Sequence, residues 1–235
     1  MRLATSSTKR SGSSAAAGTG IRAQILEAAL AEFGEHGFGD ASLAAIARKL
    51  GVTAPLLLYH FGSKANLWRE AVEVLMVRCG TVIEAAVEDG RNMDGRSAFR
   101  LVLRRLVYFL AANRAMYRLM RDEGAVDHES REWLVSRHLG PLFAQIESVY
   151  SRAVAEGGLR AAPFQSTIFM LLGASSQYLE ARSLASSLFG RYEFGPHSLA
   201  AYAEQVIDFC FEGIAPEQHW HAPLSSDQTL RVAVG

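Results

Sequence analysis

Apolar residues recur at three- and four-residue steps along nearly the whole chain, and no segment alternates apolar and polar residues as a half-buried strand would. This periodicity restricts the fold class to all-α. Ile21, Ile25, Leu26, Ala29, Leu30 and Phe33 form the first amphipathic stripe, with Thr19 placed to cap its start and the glycines of "GEHGFGD" to end it. Ser42 then caps "LAAIARKL", and Gly51 stops it. Thr53 caps the next helix, where Pro55 is tolerated in the first turn because its missing N–H costs little there. Gly62 breaks that helix, and Ser63 caps another predicted from Lys64 to about Val87. Further helices are predicted from about Ser97 to Met120 with a bend near Asn113, and from about Glu129 to Glu156 with a kink at Gly140-Pro141. After a turn at "EGGLRAAP", helices follow from about Phe164 to Leu188 and from about His197 to Gly213.

The chain has 235 residues, 49% of them hydrophobic, enough to bury a core. No run reaches the roughly 20 apolar residues of a membrane span. The polar, small and basic stretch 1–19 lacks the apolar centre of a secretory signal and is expected to be a disordered tail, as is 216–235. Between them the pattern divides into a unit over 20–66 and a larger one over 67–215. Cys79 and Cys210 fit no metal or disulfide spacing and suit reduced thiols in the cytoplasm. The formal charge is zero, yet residues 1–69 hold eight basic and four acidic side chains, a net +4 that the remainder offsets. A basic front end on a neutral chain suits a localised nucleic-acid face.

Two short capped helices, "SLAAIARKL" and "TAPLLLYHF", joined at "GV", make a helix-turn-helix. Ile46, Leu50, Val52, Leu57 and Phe61 supply the contacts between them. The second helix then turns Ala54, Pro55, Leu56, Leu58, Tyr59 and His60 toward a major groove. Tyr59 and His60 can donate hydrogen bonds to phosphate. Lys64 and Ser42 each lie at a helix N-terminus, which also favours an anion. Ala54, Pro55 and Leu56 cannot hydrogen-bond a base edge but can pack on thymine methyl groups. The same pattern also fits the core of a plain helical bundle.

From Ile21 to Val72, "ILEAALAEFGEHGF" followed by "SLAAIARKLGVTAPLLLYHFGSKANLWREAV" resembles the DNA-binding domain of the tetracycline-repressor (TetR) family of transcriptional regulators. The resemblance places Ser42, Thr53, Ala54, Pro55, Leu56, Tyr59, His60 and Lys64 at DNA-contacting positions. It departs at Leu58, where members often carry a phosphate-binding tyrosine, and at Ala44, where some carry a base-reading arginine. It implies a second domain that dimerises and holds a small effector. The expected partners are therefore double-stranded operator DNA, a second copy of the chain and a small, largely apolar effector, with no cofactor, metal or membrane.

The remaining residues suit those roles. Gly173, Ala174, Ser175 and Ser176 permit close helix approach, and Ile168, Leu171, Leu172, Ile207 and Phe211 are candidates to fill a four-helix dimer contact; self-burial within one subunit is the alternative. Phe99, Leu103, Phe109, Met116, Tyr117, Met120 and Trp133, with Leu134 and Phe143, make the middle helices rich in large apolar groups. Arg137, His138, Gln145 and Gln177 are the polar anchors that a mostly apolar effector pocket would need. An aromatic stripe of this kind serves equally as plain core. Two rival classes remain, an all-α enzyme and a helical interaction adaptor with a degenerate helix-turn-helix. The chain shows no nucleophile with a partnered base, phosphate loop or carboxylate cluster, and His219-Trp220-His221 is a weak metal signal.

Overall fold

The computed structural model describes residues 11–113, 115–116, 118, 128–190 and 196–214. Its helices are α1 (Ser11–Asp40), α2 (Leu43–Leu50), α3 (Ala54–Phe61), α4 (Lys64–Asp89) and α5 (Gly95–Ala112), then α6 (His128–Leu134), a π-helical turn (Val135–Leu139), α7 (Gly140–Ala155), α8 (Phe164–Glu180), α9 (Arg182–Phe189) and α10 (Pro196–Ile214). No strand occurs among the described residues, as the periodicity requires.

The helix boundaries follow local chemistry. The Ser42 hydroxyl accepts from the Ala45 amide, and the Ser63 hydroxyl from the Asn66 amide, so α2 and α4 begin at side-chain caps. Gly51 ends α2 in the left-handed region at φ 67°, donating its amide to the Ala47 and Arg48 carbonyls. Inside α1, Gly37 takes φ 75° and breaks the helical path before Asp40, where the glycine cluster is expected to end it. At its other end α1 begins at Ser11, so Thr19 lies within the helix and is not its cap.

Three expectations for the later helices change. The helix predicted through Met120 ends at Ala112, with the Asn113 side-chain amide donating to the Phe109 carbonyl. The kink at Gly140-Pro141 takes the form of the π turn. Pro141 has no N–H to donate to residue 137, and the ladder slips so that Gly140 donates to the Val135 carbonyl five residues back. The helix predicted to Leu188 is two, α8 and α9, broken at Ala181.

One apolar core runs from Ile25 to Phe211. α1 packs on α2 and α4, α3 on α2 and α4, and α5 lies among α4, α7, α8 and α10. α4 crosses the boundary expected at 66/67 and packs on α1 and α3 on one side and on α5 and α7 on the other. Burial raises the thiol of Cys79 to about 12 and also raises that of Cys210. No helix among the described residues is long and apolar enough to cross a membrane.

Candidate nucleic-acid interface

The outward face of α3 is built by what its inward face buries. Leu57 is 1% exposed and Phe61 is buried beside Ile46, so the residues a half-turn away must face out. Tyr59 is 83% exposed and Leu58 43%. Pro55 and Thr53 are exposed, while Ala54, Leu56 and His60 are half-buried. Leu58 is thus more open than Leu56, the reverse of what the predicted base reader needs. Thr53 holds an extended backbone at the N-cap, yet its side chain makes no capping bond, which leaves the hydroxyl for an external acceptor.

Tyr59 meets the His60 ring edge-on at 5.5 Å between centroids, with both polar groups at the protein surface. Lys64 donates to the Gly39 carbonyl at 2.9 Å and its ammonium lies 5.1 Å from the centre of the Phe38 ring. Phe38 in turn stacks on Phe33 and meets Trp68 edge-on. This fastens the end of α1 to the start of α4, and two of the three ammonium hydrogens remain for a phosphate. Arg48 and Ser42 are exposed nearby on α2. The eight residues expected to meet DNA therefore lie together on α2, α3 and the first turn of α4. The surface has an apolar centre flanked by hydroxyl, phenol, imidazole and ammonium donors, the groups that phosphate contacts at a rim and methyl contacts at a middle require.

The family models match this architecture: "Bacterial regulatory proteins, tetR family" over residues 25–71 and "Tetracyclin repressor-like, C-terminal domain" over residues 96–210. The chain belongs to the TetR family of transcriptional regulators. It is a DNA-binding helix-turn-helix protein. It is 56% identical over 45 residues to the HTH-type transcriptional regulatory protein RaaS of Mycobacterium tuberculosis, a match covering 19% of this chain and 21%, about a fifth, of that relative. It is 29% identical over 144 residues to the nucleoid occlusion factor SlmA of Photobacterium profundum, covering 60% and 70% of the two chains. The fold is that of the TetR-family regulator PfmR of Thermus thermophilus, with TM-score 0.59, 20% identity and coverage of 78% and 97%. A TetR/AcrR-family regulator of Thermobifida fusca gives TM-score 0.57, 20% identity and coverage of 83% and 98%.

The expected effector residues are not brought together. Phe99 and Leu103 are fully buried, with Phe99 ringed by Tyr150 at 5.3 Å and Phe211 at 5.9 Å, so both are core. Met116 and Leu134 are buried, and Phe109 and Phe143 half-buried. Gln177 lies exposed on α8, and Tyr117 and Met120 fall outside the described residues, as do His219, Trp220 and His221. Arg137, His138 and Gln145 do share an open cleft of about 260 Å³, between the π turn and the stretch of α4 from Met76 to Glu84. A second cleft of about 370 Å³ lies among α1, α4 and the end of α5, and none of the expected residues lines it.

The expected dimer residues divide in the same way. Ile168, Leu171, Leu172, Ile207 and Phe211 are buried within the subunit, where they hold α8 and α10 to α5, so they cannot meet a second copy. The exposed apolar residues lie one residue past Ile168 on α8 and two residues past Ile207, on the opposite side, on α10. Phe169 is 63% and Phe209 76% exposed, and Met170 and, on α9, Leu184, Leu188 and Phe189 are exposed as well; the Phe169 ring stacks on Phe143 at 6.4 Å. Gly173 is also exposed, with nothing near the position a Cβ would take. Ser176 is half-buried. On both helices large apolar residues occur on the buried side and on the exposed side.

Proposed function

We propose that this regulator is a cytoplasmic homodimeric repressor, released from a palindromic operator by a small molecule. The observation that carries the reading is that α4 starts at a polar, donor-rich recognition surface and packs on α5, which in turn holds α8 and α10, the helices that expose Phe169, Met170 and Phe209. A monomeric protein rarely leaves such an apolar face in water. Pairing Phe169, Met170 and Phe209 with their twins would cover it. A two-fold operator would then require the two α3 helices to stand one turn of DNA apart, about 34–36 Å.

The connection between α4 and the π turn supports control by a ligand. Glu73 of α4 accepts from His138 at 2.9 Å and from Arg137 at 3.4 Å. Arg69 donates to Ser130 and Glu129 and lies 5.8 Å from the Trp133 ring. A molecule entering the cleft beside His138 would compete for these contacts and turn α4 against α6. The lining joins Met76, Val77 and Leu142 to Thr81, Gln145 and Arg137, which suits a small compound with an apolar body and one polar end.

Selection of genomic fragments on the purified protein, followed by footprinting, tests the reading. The expected product is an inverted repeat protected on one face of the duplex. Asymmetric or unselective protection would overturn the operator model. Reciprocity tests the switch: operator must weaken effector binding by the factor, about 5- to 150-fold, by which effector weakens operator binding.

A further inference from the structure

Glu32 is a carboxylate on the inner face of α1 and is only 3% exposed. One of its oxygens accepts the Ser42 backbone amide at 3.2 Å, the first orphan donor ahead of α2. The other accepts the Lys49 ammonium at 3.0 Å. His36 Nε2 stands 3.9 Å from the first oxygen. Lys49 belongs to the last turn of α2, so its side chain reaches back along the helix until its charge lies beside the amino end. One buried group thus holds both ends of α2.

This changes the charge that the surface shows to DNA. The Ser42 amide, one of the four orphan donors at the amino end of α2, is already given to Glu32, and Lys49, though its side chain is 45% exposed, is paired with a fixed anion. Ser42 keeps only its hydroxyl, which accepts from the Ala45 amide and can still donate outward.

We propose that Glu32 positions α2 and withholds Lys49 from the phosphate backbone, so that Lys49, a cation within the DNA-binding domain, makes no phosphate contact. Resting on the DNA-binding reading, this predicts a non-additive result. Each phosphate contact contributes about 0.9 to the slope of log affinity against log salt. On a random-sequence duplex, Lys49→Gln should leave that slope at the wild-type value. Glu32→Gln should steepen it by about one, because the freed ammonium reaches a phosphate. In the Glu32→Gln background, Lys49→Gln should remove that gain. A simple change in net charge would instead shift the slope equally in both backgrounds. Lys49→Gln keeps a hydrogen-bond donor for Glu32 and a folded domain, so that arm can be read even where Glu32→Gln unfolds. A slope shallower by about one in Lys49→Gln alone makes Lys49 an ordinary phosphate contact and overturns the proposal, as does an unchanged slope in folded Glu32→Gln. A wild type with no affinity for duplex DNA would instead overturn the DNA-binding reading itself.

Discussion

α3 and the α8–α10 face both expose leucine or phenylalanine to water, yet the two surfaces are built differently. On α3, Leu58 stands alone among Thr53, Pro55, Tyr59 and His60, each able to meet a groove or a phosphate. On α8 and α10, Phe169, Met170 and Phe209 are large and apolar; Phe169 and Met170 adjoin the buried Ile168 and Leu171, and Phe209 lies two residues from the buried Ile207 and Phe211. A solitary leucine ringed by donors suits a hydrated partner whose bases carry methyl groups. A run of aromatic side chains suits a partner that removes water altogether. On the proposed reading the same residue types would serve different partners, and the polar groups around them would decide which.

Charge in the aromatic face should break this contrast most. Phe169→Glu combined with Phe209→Glu would bury unpaired carboxylates between subunits, at several kcal/mol. Dimer affinity should fall at least about 100-fold, since each 1.4 kcal/mol is a factor of ten. Light scattering across a dilution series reads this. An equally tight dimer would assign the face to something other than a second copy.

Within α3 the contrast lies between neighbours. Leu57→Ala should cost about 2–5 kcal/mol in urea unfolding, because Leu57 is buried against the helix-turn-helix core. Leu58→Ala should change stability by less than about 0.5 kcal/mol and show its effect on operator choice. Equal losses would mean that Leu58 is core. The caps give a smaller pair. Ser63→Ala should cost about 1 kcal/mol. Thr53→Ala should cost almost nothing in stability, since that side chain makes no capping bond.

Glu32 sharpens the comparison through pH. Burial raises its carboxyl, but the Lys49 ammonium, the Ser42 amide and the nearby His36 together hold it below its ordinary value. A depressed carboxylate contributes stability that is fully present above the unfolded value of about 4.3 and is lost as pH falls through the folded one. Urea midpoints of the wild type should drop over that acid range more than those of Glu32→Gln. Parallel curves would remove Glu32 as a source of acid sensitivity. The smallest expected effect is that of Lys64→Ala, which should make the salt dependence of DNA binding shallower by about 0.9 while reducing affinity for all sequences alike. An unchanged slope would leave Lys64 with only its structural bond to Gly39.

How much is legible in the sequence depends on the range of each interaction. Ser42, Ser63 and Gly51 satisfy their partners within four residues, so the order of helices and the helix-turn-helix can be read directly. The same holds for the inward set Ile46, Leu57 and Phe61, whose spacing has one apolar side. It fails where the determining partner is distant. Glu32 looks like one more solvated acid until α1 lies under α2, and nothing in the spacing links it to residues ten and seventeen positions on.

The sequence by itself determined that the chain is helical, where most helices begin and end, and which short pair can enter a groove, because caps, prolines and glycines act locally. Only the tertiary structure decided which side of α8 and α10 is buried. Large apolar residues occur on both sides of these helices, so periodicity alone cannot choose between Ile168 and Phe169 or between Ile207 and Phe209. The choice is made by α5. Arg104 forks onto Glu204 at 2.6 and 2.8 Å, and Arg100 pairs with Asp208. These half-exposed pairs flank the contact, and the burial of Ala203, Ile207 and Phe211, the larger contribution, sets the rotation with Ile207 inward and Phe209 at the surface.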